Sequence, residues 1–180
     1  MANVKHYVIT SITLGVIAAS GALLIGLTNL ATKDQIATNE KERVQLGIRS
    51  IFGSEASIEE EQTIQEAGLT GSYKYVEKVF TVKDNADTSL GYAFRTTGSN
   101  DYGKVSLIVG FGESDHKFIS VYIVVNEQTY ASTLVDNYIN PLNDGSRELD
   151  DTSCGATFGA KLVRNMVLEA NTAAETLWKE

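Results

Sequence analysis

The sequence is short of the residues that most chemistry at protein sites uses. In 180 residues it has one cysteine, one proline, one tryptophan and two histidines. A lone cysteine, Cys154, excludes an intrachain disulfide and leaves the chain without a Cys-rich zinc or iron–sulfur site of its own. His6 and His116 are far apart in sequence, so a nucleophilic triad has no plausible base. The Gly-x-Ser-x-Gly elbow of hydrolases is absent. Gly155-Ala156-Thr157-Phe158-Gly159-Ala160-Lys161 lacks the Gly-x-x-x-x-Gly-Lys-(Ser/Thr) spacing of a nucleotide-binding loop. Basic residues are also in deficit, with 15 Lys and Arg against 23 Asp and Glu, a net charge of −8 and a pI near 4.8. That balance argues against a nucleic-acid partner, which needs a basic surface.

The longest absence is of charge between Tyr7 and Thr32. Tyr7–Leu30 is 24 residues, about 36 Å as a helix, against a bilayer core of roughly 30 Å. A secretory signal peptide is the rival reading. Its apolar region would be only about 7–15 residues, and here the run continues past the cleavage-like Ala19-Ser20-Gly21-Ala22. A retained anchor is therefore expected. Gly15, Ala18, Ala19, Ala22 and Gly26 make small-x-x-x-small pairs, either a packing face for a membrane partner or ordinary membrane-helix composition. Lys5 on one side and Lys33, Lys41 and Arg43 on the other, the latter mixed with Asp34, Glu40 and Glu42, leave orientation open.

The expected organisation is a stub (1–6), a transmembrane helix (7–30), a helical stem (31–56) and a folded domain (57–180). Ile36, Val44, Ile48 and Ile51 mark one side of a stem helix over 33–52, which Gly53 stops. Ser57–Gln65, with Glu59-Glu60-Glu61, reads as a solvated helical turn. Four strands follow: Tyr73–Val82, Leu90–Thr97, Lys104–Phe111 and Phe118–Val125. In the third, Val105, Leu107, Val109 and Phe111 share a face; in the fourth, Ile119, Val121, Ile123 and Val125 do. A turn over Gly112–His116 leaves His116 solvated. Pro141 closes the segment Leu134–Asn140. The fold class is α+β, an antiparallel sheet with helices on one face.

The stretch that organises the rest is Asp151-Thr152-Ser153-Cys154-Gly155-Ala156-Thr157. After it, Leu162, Val163, Met166, Val167, Ala170, Ala174 and Leu177 recur at helical intervals, so Thr157 sits where a loop becomes a C-terminal helix. Two readings coexist. Thr157 or Ser153 is an ordinary N-cap, or Thr157 holds a phosphate against open N–H groups and the helix dipole, with Lys161 adding charge one turn on.

Asp-x-x-(Ser/Thr)-Gly-Ala-Thr resembles the flavinylation motif of the FMN-binding domain family, with Cys154 where the family most often has Ser. Leu27-Thr28-Asn29-Leu30-Ala31-Thr32-Lys33-Asp34-Gln35-Ile36-Ala37 is similar to the start of the G component of the Rnf electron-transport complex. The resemblance implies FMN joined to Thr157 by a phosphodiester, installed from FAD by a flavin transferase, with Asp151, Gly155 and Ala156 as motif positions. It implies that 57–180 is the FMN-binding domain, on the extracytoplasmic side of a single-pass cell-membrane protein, with other integral-membrane redox subunits as partners. The family's Glu-Thr-Pro-Gly-like turn corresponds to Gln128-Thr129-Tyr130-Ala131. Gln128 and Thr129 would meet the isoalloxazine edge and Tyr130 its face, or the stretch is a polar loop with a packing tyrosine. Phe158, Tyr130, Tyr138 and Phe111 are candidates for the ring slot, or core residues. The implied activity is that of a redox component in an ion-translocating ferredoxin:NAD⁺ oxidoreductase. The alternatives are the corresponding FMN-carrying part, the C component, of a Na⁺-translocating NADH:quinone reductase, or a free-standing membrane-anchored FMN-binding sensor or assembly module.

Overall fold

The computed structural model describes the backbone of residues 2–179 and the side chains of 6–29, 31, 32, 35 and 38–179. The side chains of Lys5, Lys33, Asp34 and Ile36, named above as flanking charges and part of a stem face, lie outside the described residues. The chain divides into two compact units, one ending at Glu42 and one beginning at Arg43.

Helix α1 (Ala2–Phe52) begins in the first unit, where it contains a stretch, His6–Asn29, long and apolar enough to cross a membrane once. Leu14, Ile17, Leu23 and Ile25 are exposed on it, as on a helix that is apolar all round and covered by lipid rather than protein. The hydroxyls of Thr10, Thr13 and Thr28 donate to the carbonyls of His6, Ile9 and Leu24 one turn back, so these polar groups are satisfied within the helix.

The second unit is a five-stranded antiparallel meander in the order β1-β2-β3-β4-β5: β1 (Ser57–Thr63), β2 (Val76–Lys83), β3 (Ser89–Asn100), β4 (Gly103–Gly112) and β5 (Phe118–Asn126). Then come α2 (Ala131–Leu134), a π-helical turn (Val135–Ile139), α3 (Asn140–Asn143) and the long α4 (Thr157–Leu177). The architecture is α+β, with the apolar N-terminal helix ahead of the sheet and a helix at the C-terminus.

Four expectations about the elements need correction. The acidic run is not a helical turn but edge strand β1. Its carboxylates reach across to β2, where Lys78 pairs with Glu61 and Lys83 with Glu59, and cross-strand opposite charges stabilise a ladder. Helices cover both faces of the sheet rather than one. Residues Val44, Ile48 and Ile51 of α1 pack with Phe80, Val82, Ala93, Ile108 and Val124, while α4 and the helical turns pack on Phe94, Leu107, Val109 and Phe111. The four residues assigned to one face of β5 do not stay together. Register shifts opposite Ser106/Leu107 and Gly110/Phe111 leave Ile119 exposed and send Val125 to the α1 side. Finally, Pro141 closes nothing, because helical structure continues through it to Asn143. Proline lacks an N–H, and the preceding turn is already wound i→i+5, with Asn140 N–H donating to Val135 O.

Candidate functional site

Helix α4 begins at Thr157, with Ala156 at its N-cap (φ −114°, ψ 43°) and no side chain capping it. The ordinary cap role foreseen for Thr157 or Ser153 is therefore not realised. Ala156 has no oxygen to offer, and the backbone N–H groups of the first turn stay without intrahelical acceptors. Leading in, Gly155 has φ +83°, and a Cβ there would lie 3.3 Å from Thr133 Cγ2. The left-handed backbone at this step turns the chain into the helix, and a residue with a Cβ adopts it at a cost.

Beside this helix start lies a cleft of about 310 Å³ lined by Tyr102, Gln128, Tyr130, Gly155, Ala156, Thr157, Phe158 and Gly159. Its volume falls at the lower end of the range for small-molecule sites, roughly 300–1,000 Å³. Three aromatic side chains form the rim. Phe158 is 61 % exposed, Tyr130 54 % and Tyr102 37 %. Tyr102 stacks on Phe158 with centroids 5.3 Å apart and planes at 20°, and tilts against Tyr130 at 6.3 Å. Beyond residue 42 these three are the exposed Phe, Tyr or Trp side chains among the described residues, and their gathering around one concavity marks it as a binding surface for an apolar group.

Asn100 connects the three walls. Its Oδ1 accepts from Tyr102 N–H (2.9 Å) and from Gln128 Nε2 (3.1 Å), and its Nδ2 donates to Phe158 O (3.1 Å). The β3–β4 hairpin, the loop after β5 and the start of α4 are thereby held together. Gly159 permits the close approach, since a Cβ there would come 3.1 Å from Leu134 Cδ2 and 3.2 Å from Gln128 Oε1.

Of the residues singled out from sequence, Gln128, Tyr130, Gly155, Ala156 and Thr157 line the cleft together, with Phe158. Three others stand back from it. Thr129 turns to the hairpin, its hydroxyl donating to Tyr102 O at 3.2 Å. Asp151 is paired with Arg147 (2.8 Å), and the same guanidinium nitrogen donates to the carbonyl of Asp151 at 2.9 Å. Lys161 Nζ lies 6.0 Å from the Phe158 ring centroid and faces a neighbouring hollow with Asp150, Thr152, Arg164 and Asn165. Tyr138 and Phe111 are core residues away from the cleft. Burial pushes the Tyr138 phenol up to about 12, and its hydroxyl donates to Leu149 O at 2.6 Å. Asn137 Nδ2 donates to the Cys154 carbonyl at 3.1 Å, so the segment before Thr157 is held from the π-turn as well. At the preceding turn, hydrogen bonds from Ser146 hold the Asp144 carboxyl below its usual range.

The sequence reading missed Tyr102 and Asn100. The signal available was a tyrosine placed in the two-residue turn Asp101-Tyr102 between paired Asn100 and Gly103. It also left His116 merely solvated, whereas its exposed ring stacks on Trp178 at 4.2 Å and 5°. Among the described residues no cluster of three potential metal ligands forms.

No curated protein matches the chain at a significant level. Residues 1–46 match the family described as the RnfG N-terminal region. The match covers the apolar span and the first part of the stem, and with the one candidate span among the described residues it supports a membrane-anchored role of the RnfG type. Over residues 1–46 the chain thus resembles the N-terminal region of RnfG, a component of the Rnf complex.

Proposed function

We propose that this chain is the flavin-carrying component of an Rnf-type ferredoxin:NAD⁺ oxidoreductase, with one FMN joined to Thr157 through a phosphodiester. In this reading residues 7–30 cross the membrane, 31–56 form the stem and 57–180 form the FMN domain on the extracytoplasmic side. The observation that carries it is the position of Thr157, the first residue of an uncapped 21-residue helix and a wall of an aromatic cleft.

The residues present fit the group. A phosphate on Thr157 meets the free N–H groups of the first turn of α4 and the positive end of its dipole, with Lys161 adding charge nearby. Tyr102, Tyr130 and Phe158 offer flat apolar surfaces to a ring, and Gln128 offers a polar floor. Gly155 and Ala156 carry no bulk between the hydroxyl and the cleft. Asp151, tied to Arg147, holds the shape of the approach loop; Thr129 fixes the hairpin. Attachment replaces the AMP of FAD. The Thr157 Oγ bonds to the flavin-bearing phosphorus, the pyrophosphate bond breaks, AMP leaves, and the hydroxyl proton passes to a base of the transferase. Bound FMN supplies one-electron chemistry that side chains lack. The covalent tether prevents its loss on the side of the membrane where no cytosolic pool replaces it.

The test is intact-protein mass spectrometry with flavin fluorescence after denaturation, on chain expressed with and without a flavin transferase, beside Thr157→Ala. A mass gain of one FMN moiety, dependent on the transferase and absent in Thr157→Ala, is expected. Unmodified protein beside an active transferase, verified on a known acceptor, would sink the covalent reading and leave a membrane module without attached flavin.

A further inference from the structure

Gln128 is the one strongly buried polar side chain of the cleft, 7 % exposed, and its amide has a single allowed orientation. Nε2 donates to the Gly103 carbonyl and to Asn100 Oδ1. A backbone carbonyl only accepts, so the NH₂ group must face Gly103. Asn100 is oriented by the same logic, because its Nδ2 donates to the Phe158 carbonyl at 3.1 Å. What remains is Gln128 Oε1, which faces Gly159, another residue of the cleft wall. No donor among the described residues reaches it. Oε1 is not fully closed off from solvent, so water satisfies it in the open cleft; an occupant that displaces that water leaves a fixed acceptor unpaired, at a cost, unless it offers an N–H or O–H at that point.

Resting on the proposal that FMN is the occupant, we infer that the isoalloxazine ring enters with its pyrimidine edge first and donates a ring N–H to Gln128 Oε1, leaving its dimethylbenzene edge at the aromatic rim. The oxidised ring has one N–H, at N3 on the pyrimidine edge; the dimethylbenzene edge has no donor or acceptor. The cleft is graded in the same sense. Its buried wall presents the Gln128 acceptor, whereas its rim is the exposed trio Tyr102, Tyr130 and Phe158. The reverse entry would leave Oε1 unpaired and place the ring's polar edge among the rim aromatics. Gln128 therefore acts as a specificity-determining residue that sets ring orientation, and the edge offered to a redox partner is the dimethylbenzene one.

The experiment loads the full-length chain with FMN or 8-chloro-FMN by supplying the transferase with FAD or 8-chloro-FAD, and confirms attachment by mass. Thiophenolate is then added. It replaces the chlorine at C8, forming C8–S and releasing chloride, and the absorbance change gives the rate. Displacement is expected within about tenfold of the free 8-chloroflavin rate, with little further gain in urea. Displacement slower by about 100-fold and restored by urea would place the dimethylbenzene edge inside and overturn it. Gln128→Leu, whose folding is checked through Trp178 fluorescence, should lower the fluorescence anisotropy of the attached flavin; unchanged anisotropy in folded variant would overturn the acceptor role. Failure of ordinary FAD to modify Thr157 instead defeats the underlying reading, so the two failures are distinguishable. The reactivity at C8 is read on the unaltered protein and stands whether or not the variant folds.

Discussion

At Gly155 the backbone has a φ of +83°, and an added Cβ would come 3.3 Å from the Thr133 methyl. Gly155→Ala should cost about 1–2 kcal/mol and lower the melting temperature by several degrees. It should also slow flavin attachment, because the turn that brings Thr157 to the cleft is the one strained. Calorimetry and the time course of mass gain would check both effects. Tyr138 gives a second residue-scale expectation. Its phenol titrates near 12 in the folded protein because of burial and near 10 when unfolded. Between those values the unfolded chain loses the proton and the folded one keeps it, so stability is intact below pH 10 and falls as pH climbs from 10 toward 12. Urea unfolding at pH 9 and 11.5 should show a larger loss in the native protein than in Tyr138→Phe, which lacks that titration. The variant itself should lose about 1 kcal/mol at neutral pH with the bond to Leu149 O.

The elements show which parts of the fold local pattern could give. The long helix, its stop at Gly53, four strands and the start of α4 at Thr157 follow from periodicity and turn residues, because those signals lie within a few residues of one another. Strand β1 does not. Three adjacent glutamates look solvated until Lys78 and Lys83 are brought beside them by pairing with β2. The two-sided burial of β4 was half visible. Val105, Leu107, Val109 and Phe111 mark one face, but Ser106 and Ile108 are equally inaccessible, and Ile108 is covered by the end of α1. The cleft was legible as a Thr at a helix start and a polar turn at Gln128; its third wall, Tyr102, comes from a hairpin tip distant in sequence. That helix end yields a prediction. A chain beginning at Arg43 keeps Val44, Ile48 and Ile51 over Phe80, Val82 and Ile108 and should be soluble and monomeric. A chain beginning at Gly53 uncovers that apolar face and should aggregate and bind a hydrophobic dye. Equal behaviour of the two in size-exclusion chromatography would count against this role for the stem.

For the whole molecule, the span His6–Asn29 and the match over residues 1–46 make membrane attachment the first property to check. The full chain should sediment with membranes, resist alkaline carbonate and need detergent, whereas the chain from Arg43 should appear in the soluble fraction. Recovery of the full chain in the carbonate supernatant would contradict a spanning helix. Attachment also bears on how the sheet ends. At the outer edge of β5, the Asn143 side chain both accepts from Val121 N–H (2.8 Å) and donates to Val121 O (2.9 Å), taking the place a neighbouring strand would occupy. At the opposite edge, β1 is short and carries carboxylates. Molecules anchored in a bilayer diffuse in two dimensions and meet far more often than the same number free in solution. Under that crowding an open strand edge would seed sheet-to-sheet polymers; one amide and a row of carboxylates keep each copy separate, so that encounters on the membrane surface end in collision rather than assembly.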